Sequence, residues 1–537
     1  MTKIHLTKAF WIICLGILIL ATLLAWLDQS EYYLQGLLGY VILLGAGTAI
    51  INGVRKAVQG NRKITTVAVI AFSVRLAIGI ALTLLLPVVG YQNSAENQAG
   101  YIFTDAFVRD NQAWNLAISG EPITKAFSGT IPGDQYGGML ALSAIIYRFL
   151  SPDTHRPFMI LILGAVASAC GVLCLWKASN TWFREKTALL ATWFFALYPE
   201  TVLLGSSQMR EAIVIPMTAM SFYGLTEIQA RKASGWFWII LSAIFLIPIQ
   251  PLVSLISFVV LLGIWLFDPN TIQAFMKKQS ILTIASLVSL LMVAMFVASS
   301  ILAKLPSLQG SGPLSVYLTW FQHNFTFQSY LLERSSGIFQ SLLASVGEQW
   351  RWLIILVYGT AQPVLPALVG DPSAAWIMRI IGFFRAAGWY AIALFLIYGA
   401  LKALRNHQAT RRYQLIWISV INWAWIMVSA LNAGADQWDN PRYRAILLIW
   451  QVILAAWALE QACSLRDAWL WRWLAVEVVF VGVFTEWYLG RYYPGFIHLD
   501  IKIMSVIILL ICGMILIGGA IWDRVHKKKP SSADNSL

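Results

Sequence analysis

Apolar runs of about 20 residues recur along almost the whole chain, and they decide what it can fold into. A helix rises 1.5 Å per residue and the hydrocarbon of a bilayer is about 30 Å thick, so roughly 20 apolar residues cross it. Candidate spans lie at roughly 9–27, 34–52, 64–90, 157–176, 187–206, 211–229, 236–248, 252–267, 280–303, 376–401, 413–433, 443–460, 473–490 and 501–522. The reading is an all-α polytopic membrane protein with about 14 transmembrane helices. Composition agrees: 59% of the 537 residues are hydrophobic and only 12% are charged. A soluble domain carries about 25% charged residues.

Two segments need separate treatment. The pair 236–248 and 252–267 is short and is split at Ile249-Gln250-Pro251, which reads as a thin hairpin. Segment 350–369 is apolar but contains Pro363 and Pro366, so it reads as re-entrant. The N-terminus has Lys3 and Lys8 before an apolar run from Ala9 to Leu27, with no small-residue cleavage pattern. It reads as an uncleaved signal anchor.

The formal net charge is +13. A nucleic-acid partner would explain such a charge, but topology explains it better. With the N-terminus inside, every inner loop is basic. These loops hold Arg55, Lys56, Arg62 and Lys63; Lys177, Arg184 and Lys186; Arg231 and Lys232; Lys277 and Lys278; Lys402, Arg405, Arg411 and Arg412; Arg466 and Arg472; and Arg524 with Lys527 to Lys529. This is the positive-inside pattern, not a nucleic-acid footprint. Two long outer loops result, 91–156 and 304–349, and Met139 to Leu150 in the first reads as an amphipathic helix on the membrane surface. The division is 1–63 (two N-terminal helices), 64–460 (core), 461–522 (C-terminal helices) and 523–537 (basic cytoplasmic tail). The 25 Trp suit the two interfaces. The five cysteines offer no pair in a polar outer loop, so no disulfide framework is expected. Cys170 and Cys174, without a His, read as core packing.

Polar clusters break the apolar pattern mainly on the outer side. The first is Asp105, Arg109 and Asp110 in Tyr101-Ile-Phe-Thr-Asp-Ala-Phe-Val-Arg-Asp. Two carboxylates and a guanidinium there can act as base, orienter and phosphate clamp, or form an i, i+4 ion pair on a solvated helix. Asp134, before Tyr136-Gly137-Gly138, reads as the cap of the surface helix. The second cluster is Arg210-Glu211, and the third is Asp436-Gln-Trp-Asp439-Asn-Pro-Arg442-Tyr443-Arg444. Arginine beside Trp and Tyr at the headgroup level suits a phosphate or an interfacial anchor. Arg75 lies mid-way along the third span, where a charge is costly. It holds a lipid phosphate or pairs with Glu477. Glu200, Glu486 and Arg491 are secondary candidates. No phosphate-binding loop, His-rich metal motif or pair of repeated halves is visible.

Together, Thr104-Asp105-Ala-Phe-Val-Arg109-Asp110, Ser207-Gln-Met-Arg210-Glu211 and Asn440-Pro-Arg442-Tyr443-Arg444 resemble the integral-membrane GT-C glycosyltransferases. That group includes protein O-mannosyltransferases and aminoarabinose transferases, and the resemblance covers about residues 64–460. It implies an inverting transfer of a sugar from a polyprenyl-phosphate donor to a glycan, lipid or protein acceptor on the outer face of a bacterial plasma membrane. Both termini would be cytoplasmic. Asp105 would be the general base, with Asp110 as a second acid. Arg109, Arg210, Arg442, Arg444 and Arg75 would hold the donor phosphate, supported by Glu211, Asp439, Tyr443 and Asp134. A divalent cation, Mg or Mn, would use Asp105 and Asp110. The chain departs from the group where Ala106, not a second acid, follows Asp105. Two other readings stand beside this one. A polysaccharide polymerase or ligase would need Arg/His pairs in a late loop; loop 304–349 has His323 and Arg334 but no clear pair. A transporter or flippase would need a polar path through the spans.

Overall fold

The computed structural model describes residues 2–128, 134–268, 348–365, 370, 374–406, 411–434 and 436–526, with isolated positions between 285 and 346. Among these residues the regular structure is helical throughout. Helices α1 (Thr2–Leu27), α2 (Tyr33–Ala57) and α3 (Arg62–Val89) lead into the outer segment, which carries α4 (Thr104–Ile118) and α5 (Gly138–Leu150). Then come α6 (Phe158–Trp182), α7 (Glu185–Leu197), α8 (Pro199–Gly205), α9 (Glu211–Gln229), α10 (Ser234–Ile249) and α11 (Pro251–Leu266). The chain continues with α12 (Arg351–Ala361), α13 (Trp376–Arg405), α14 (Arg412–Ala433) and α15 (Asp439–Ala445). It ends with α16 (Leu448–Leu465), α17 (Ala468–Leu489) and α18 (Ile501–Val525).

Nine described helices are long and apolar enough to cross a membrane, or ten if α7 and α8 are one bent span. The difference from 14 has identifiable causes. Segment 187–206 bends by 53° between α7 and α8. Pro199 has no N–H to continue the helix and pushes Tyr198 out of the α region, to φ −60° and ψ 120°. Helix α9 is buried along nearly its whole length and sheathed by protein, so it needs less hydropathy. Helices α10 and α11 have 16 residues each, short of a full crossing. Span 280–303 lies almost wholly outside the described residues, as does outer loop 304–349 with His323 and Arg334. Helix α12 has 11 residues, too few to cross alone, and residues 366–369 of the segment 350–369 lie outside the described residues.

The core runs through α6, α9 and α16. Helices α17 and α18 stand at the edge, where only Trp487 and Met504 are buried. The apolar surface they leave exposed is what hydrocarbon would cover.

Contacts across the bundle fix its two ends. At one end Lys177 Nζ reaches Gln59 (3.2 Å), Lys402 Nζ meets Asp467 (2.9 Å) and Arg411 meets Asp268 (3.2 Å). This is the end where the basic loops gather. At the other end α4 packs on α5, and α8 and α15 meet. There Arg156 pairs with Asp28 at 3.3 Å, tying the α1–α2 turn to the start of α6. The polar clusters converge at this second end.

Candidate functional site

Arg442 is the hub of the site. It sits on α15, a two-turn helix where the chain re-enters the bundle, and its side chain is 5% exposed. Its Nη2 lies 3.0 Å from Asp105 Oδ2, its Nη1 3.1 Å from Asp439 Oδ1 and its Nε 3.3 Å from Glu211 Oε1. Three segments far apart in the chain thus end on one guanidinium. Burial alone would lower its pKa, but Glu211, Asp439, Tyr443 and Asp105 outweigh burial and hold it charged. The Tyr443 ring lies against it, 5.1 Å from the guanidinium carbon.

Asp105 lies in the first turn of α4, where the helix dipole favours a carboxylate. Its side chain is 50% exposed, the most open of this group. Burial would raise its pKa, but Arg442, then Arg109 and Arg210, bring it below the usual carboxylate range. Asp439 behaves differently: its pKa is raised, by burial first and by Asp436, Asp105 and Glu211, with Arg442 opposing.

An i, i+4 pair within α4 is not what forms. Arg109 turns inward, lies 3.8 Å from Asp134 and donates to the Gln208 carbonyl (3.4 Å). Arg210 lies 3.8 Å from the other oxygen of Asp134 and packs over Tyr136, 5.2 Å from its ring centre. The N-cap of α5 is Gly137, not Asp134, but the Asp134 carboxylate accepts from the Leu140 N–H in the first turn (3.0 Å) while facing both arginines. Nε of Arg109 and both Nε and Nη1 of Arg210 are buried without a hydrogen bond, each arginine facing Asp134 only at 3.8 Å, whereas Nε of Arg442 and Oε1 of Glu211 face each other at 3.3 Å. Buried charges left this way are costly. The spare donors are what the oxygens of a phosphate would take.

A cleft of about 690 Å³ opens onto the cluster. Glu96, Phe103, Asp105, Trp438, Asp439 and Arg442 line it, so the exposed face of Asp105 looks into a polar chamber.

Other expected site residues lie elsewhere. Asp110 is buried on the far side of α4, where Tyr101 Oη (2.7 Å), Tyr147 Oη (2.7 Å) and His155 Nε2 (3.0 Å) meet its carboxylate. Its lone pairs are used inside the protein, so it forms no joint metal site with Asp105. Among the described residues no group of three or more His, Cys, Asp or Glu is placed to hold an ion. Arg75 neither pairs with Glu477 nor faces the cleft. It donates to the carbonyls of Ala71 (3.1 Å), Ala196 (2.9 Å) and Phe195 (3.2 Å), stitching the open end of α7 where Pro199 breaks it. Arg444 stacks over Trp389, 3.3 Å from the ring centre, and donates to the Thr360 carbonyl (3.4 Å), behind the site.

Sequence reasoning missed Arg385. It grips Glu200 with two bonds, Nε to Oε2 (2.6 Å) and Nη2 to Oε1 (2.9 Å). It also donates to the Trp438 carbonyl (2.9 Å) and packs under the Trp438 ring at 4.7 Å. The signal was a guanidinium nine residues inside the apolar run 376–401, deeper than Arg379 near its start, matched by the lone carboxylate of Glu200.

No protein-family model matches the chain, and no curated protein does. Among solved structures it is similar to the archaeal oligosaccharyltransferase AglB from Archaeoglobus fulgidus. That structure was determined in complex with an inhibitory peptide and a dolichol-phosphate. The sequences are 12% identical, the TM-score is 0.36, and the match covers 83% of this chain and 54% of that one. The chain thus spans about half the length of that protein.

Proposed function

We propose that this protein is a multi-pass membrane glycosyltransferase. It moves a sugar from a polyprenyl-phosphate-linked donor to an acceptor on the outer, extracytoplasmic face, with inversion. The observation that carries this is the half-exposed Asp105, held at 3.0 Å by a buried arginine at the mouth of a polar cleft. The reading agrees with the GT-C resemblance of the three motifs.

In this reaction the acceptor hydroxyl oxygen attacks the anomeric carbon from the face opposite the phosphate. The bond from that carbon to the phosphate oxygen breaks, and Asp105 takes the hydroxyl proton. The departing polyprenyl phosphate gains the electron pair. Its charge is met by Arg442 and by the unsaturated donors of Arg210 and Arg109. Arg442 also sets the strength of the base. While it pairs with Asp105, the carboxylate is a weak proton acceptor; once a phosphate draws Arg442 away, basicity rises. Asp134 and Glu211 hold the arginines in place, and Asp439 and Tyr443 flank Arg442. Asp105 and Asp110 do not share a site, so the pair does not fit a common Mg or Mn ion.

The test is Asp105→Asn in membranes supplied with labelled polyprenyl-phosphate sugar. Transfer is expected to fall roughly 10²–10⁴-fold, the usual contribution of a positioned base, with donor binding retained. Unchanged transfer would remove Asp105 from the mechanism. Formation of long glycan chains on a single acceptor would instead favour a polymerase.

A further inference from the structure

The basic end of the bundle holds a second cleft, unconnected with the proposed chemistry. It has a volume of about 490 Å³ and lies between the C-terminal end of α13 and the junction of α16 with α17. Lys402, Arg405, Leu401, Leu465, Trp469 and Trp473 line it, with Tyr398 and Asp467. Its polar floor is ordered. Tyr398 Oη donates to Asp467 Oδ2 (2.7 Å), and Lys402 Nζ meets the same oxygen at 2.9 Å. Asp467 also caps α17 through the Trp469 N–H (3.0 Å). Asp467 answers one of the two cations, so the cleft keeps a net positive charge from Arg405, which is exposed at its rim. The cleft exists because α17 stands off the bundle, as its single buried residue indicates.

We infer that this cleft binds the headgroup of an anionic phospholipid. The phosphate would take the Arg405 fork and the N–H donors of Lys402 that Asp467 leaves free. Trp469 and Trp473 form the side wall, as tryptophans do at the depth of glycerol and headgroups. Leu401, Leu465 and the Trp473 ring offer apolar surface to the first part of the acyl chains. A free inorganic phosphate would use the cations and leave that wall bare, which is why the lipid is the assigned occupant. Basic pockets between membrane helices on the cytoplasmic side suit anionic headgroups. The lipid would also fill the gap behind α17 and bind the C-terminal hairpin to the core.

The experiment uses the full-length protein in nanodiscs of phosphatidylglycerol mixed with phosphatidylcholine, with retained lipid counted by native mass spectrometry. The wild type should retain phosphatidylglycerol in preference. Arg405→Glu, at an exposed position, should reduce that preference about fivefold or more, while Arg405→Lys keeps most of it. Lys56→Glu, at the same end but away from the cleft, is the control for general surface charge. An unchanged preference in Arg405→Glu overturns the inference, as does an equal loss in Lys56→Glu. Stabilisation by inorganic phosphate that matches that by phosphatidylglycerol overturns the lipid assignment.

Discussion

At the scale of single residues, the firmest contact near the cleft is one that no substrate need touch. Arg385 and Glu200 are both almost fully buried, joined by two short bonds. Removing one partner of such a pair strands the other charge, which costs about 3–5 kcal/mol. Glu200→Gln should therefore lower the unfolding midpoint in detergent by more than any substitution at the exposed Asp105. Because Arg385 also holds the Trp438 backbone, the same variant should loosen the segment that presents Arg442. Asp105 itself gives a pH prediction. Its folded pKa lies below the ordinary value of about 3.9, so it stays ionised through neutral and mildly acidic pH. The stability it contributes is present above the unfolded value and is lost as pH falls through the lower folded one. The profile of kcat/KM, which reads the free enzyme, should show no acid limb from Asp105 above about pH 4. The limb in kcat should lie higher, since bound phosphate would draw Arg442 away.

At the scale of elements, the break between α7 and α8 shows how the fold handles a polar backbone inside an apolar bundle. Pro199 ends one helix, and Arg75 from α3 satisfies the carbonyls left open. Gly205 makes room for it: a Cβ there would come within 2.7 Å of the Arg75 side chain. Gly205→Ala should destabilise the protein by about 1–3 kcal/mol. Gly45→Ala, where a Cβ would meet nothing within 4 Å, should be neutral in the same melting assay. The sequence exposed only half of this arrangement. Arg75 stood out as an intramembrane charge, but its partners are carbonyls, which every residue has and no pattern distinguishes. The outer cluster was easier to read. Asp105, Arg210, Glu211 and Arg442 each interrupt apolar sequence at the same end of a span, so topology alone brought them together. Asp110 misled for the opposite reason. One residue beyond Arg109 it looks like a neighbour of Asp105, yet the turn of the helix points it at Tyr101, Tyr147 and His155.

For the whole molecule, the two ends differ in chemistry, and a native thiol can report which faces which compartment. Among the five cysteines only Cys463 is exposed; it lies at the C-terminal end of α16, the basic end of the bundle. With that end in the cytoplasm, a membrane-impermeant maleimide should label intact cells little and permeabilised cells readily. Cys463→Ser should abolish the added labelling. Labelling of intact cells would invert the topology and place the Asp105 cleft inside.

Arg442 has a further consequence for the order of events. One guanidinium is claimed by three carboxylates; Glu211 is sealed, Asp439 is partly open, and Asp105 is the most open to the cleft. In the proposed reaction, Asp105 is freed only when a competing anion arrives. An acceptor entering an empty site would find the base occupied; one entering behind the donor would find it available. In that proposed reaction the ion pair would act as an interlock: donor first, acceptor second.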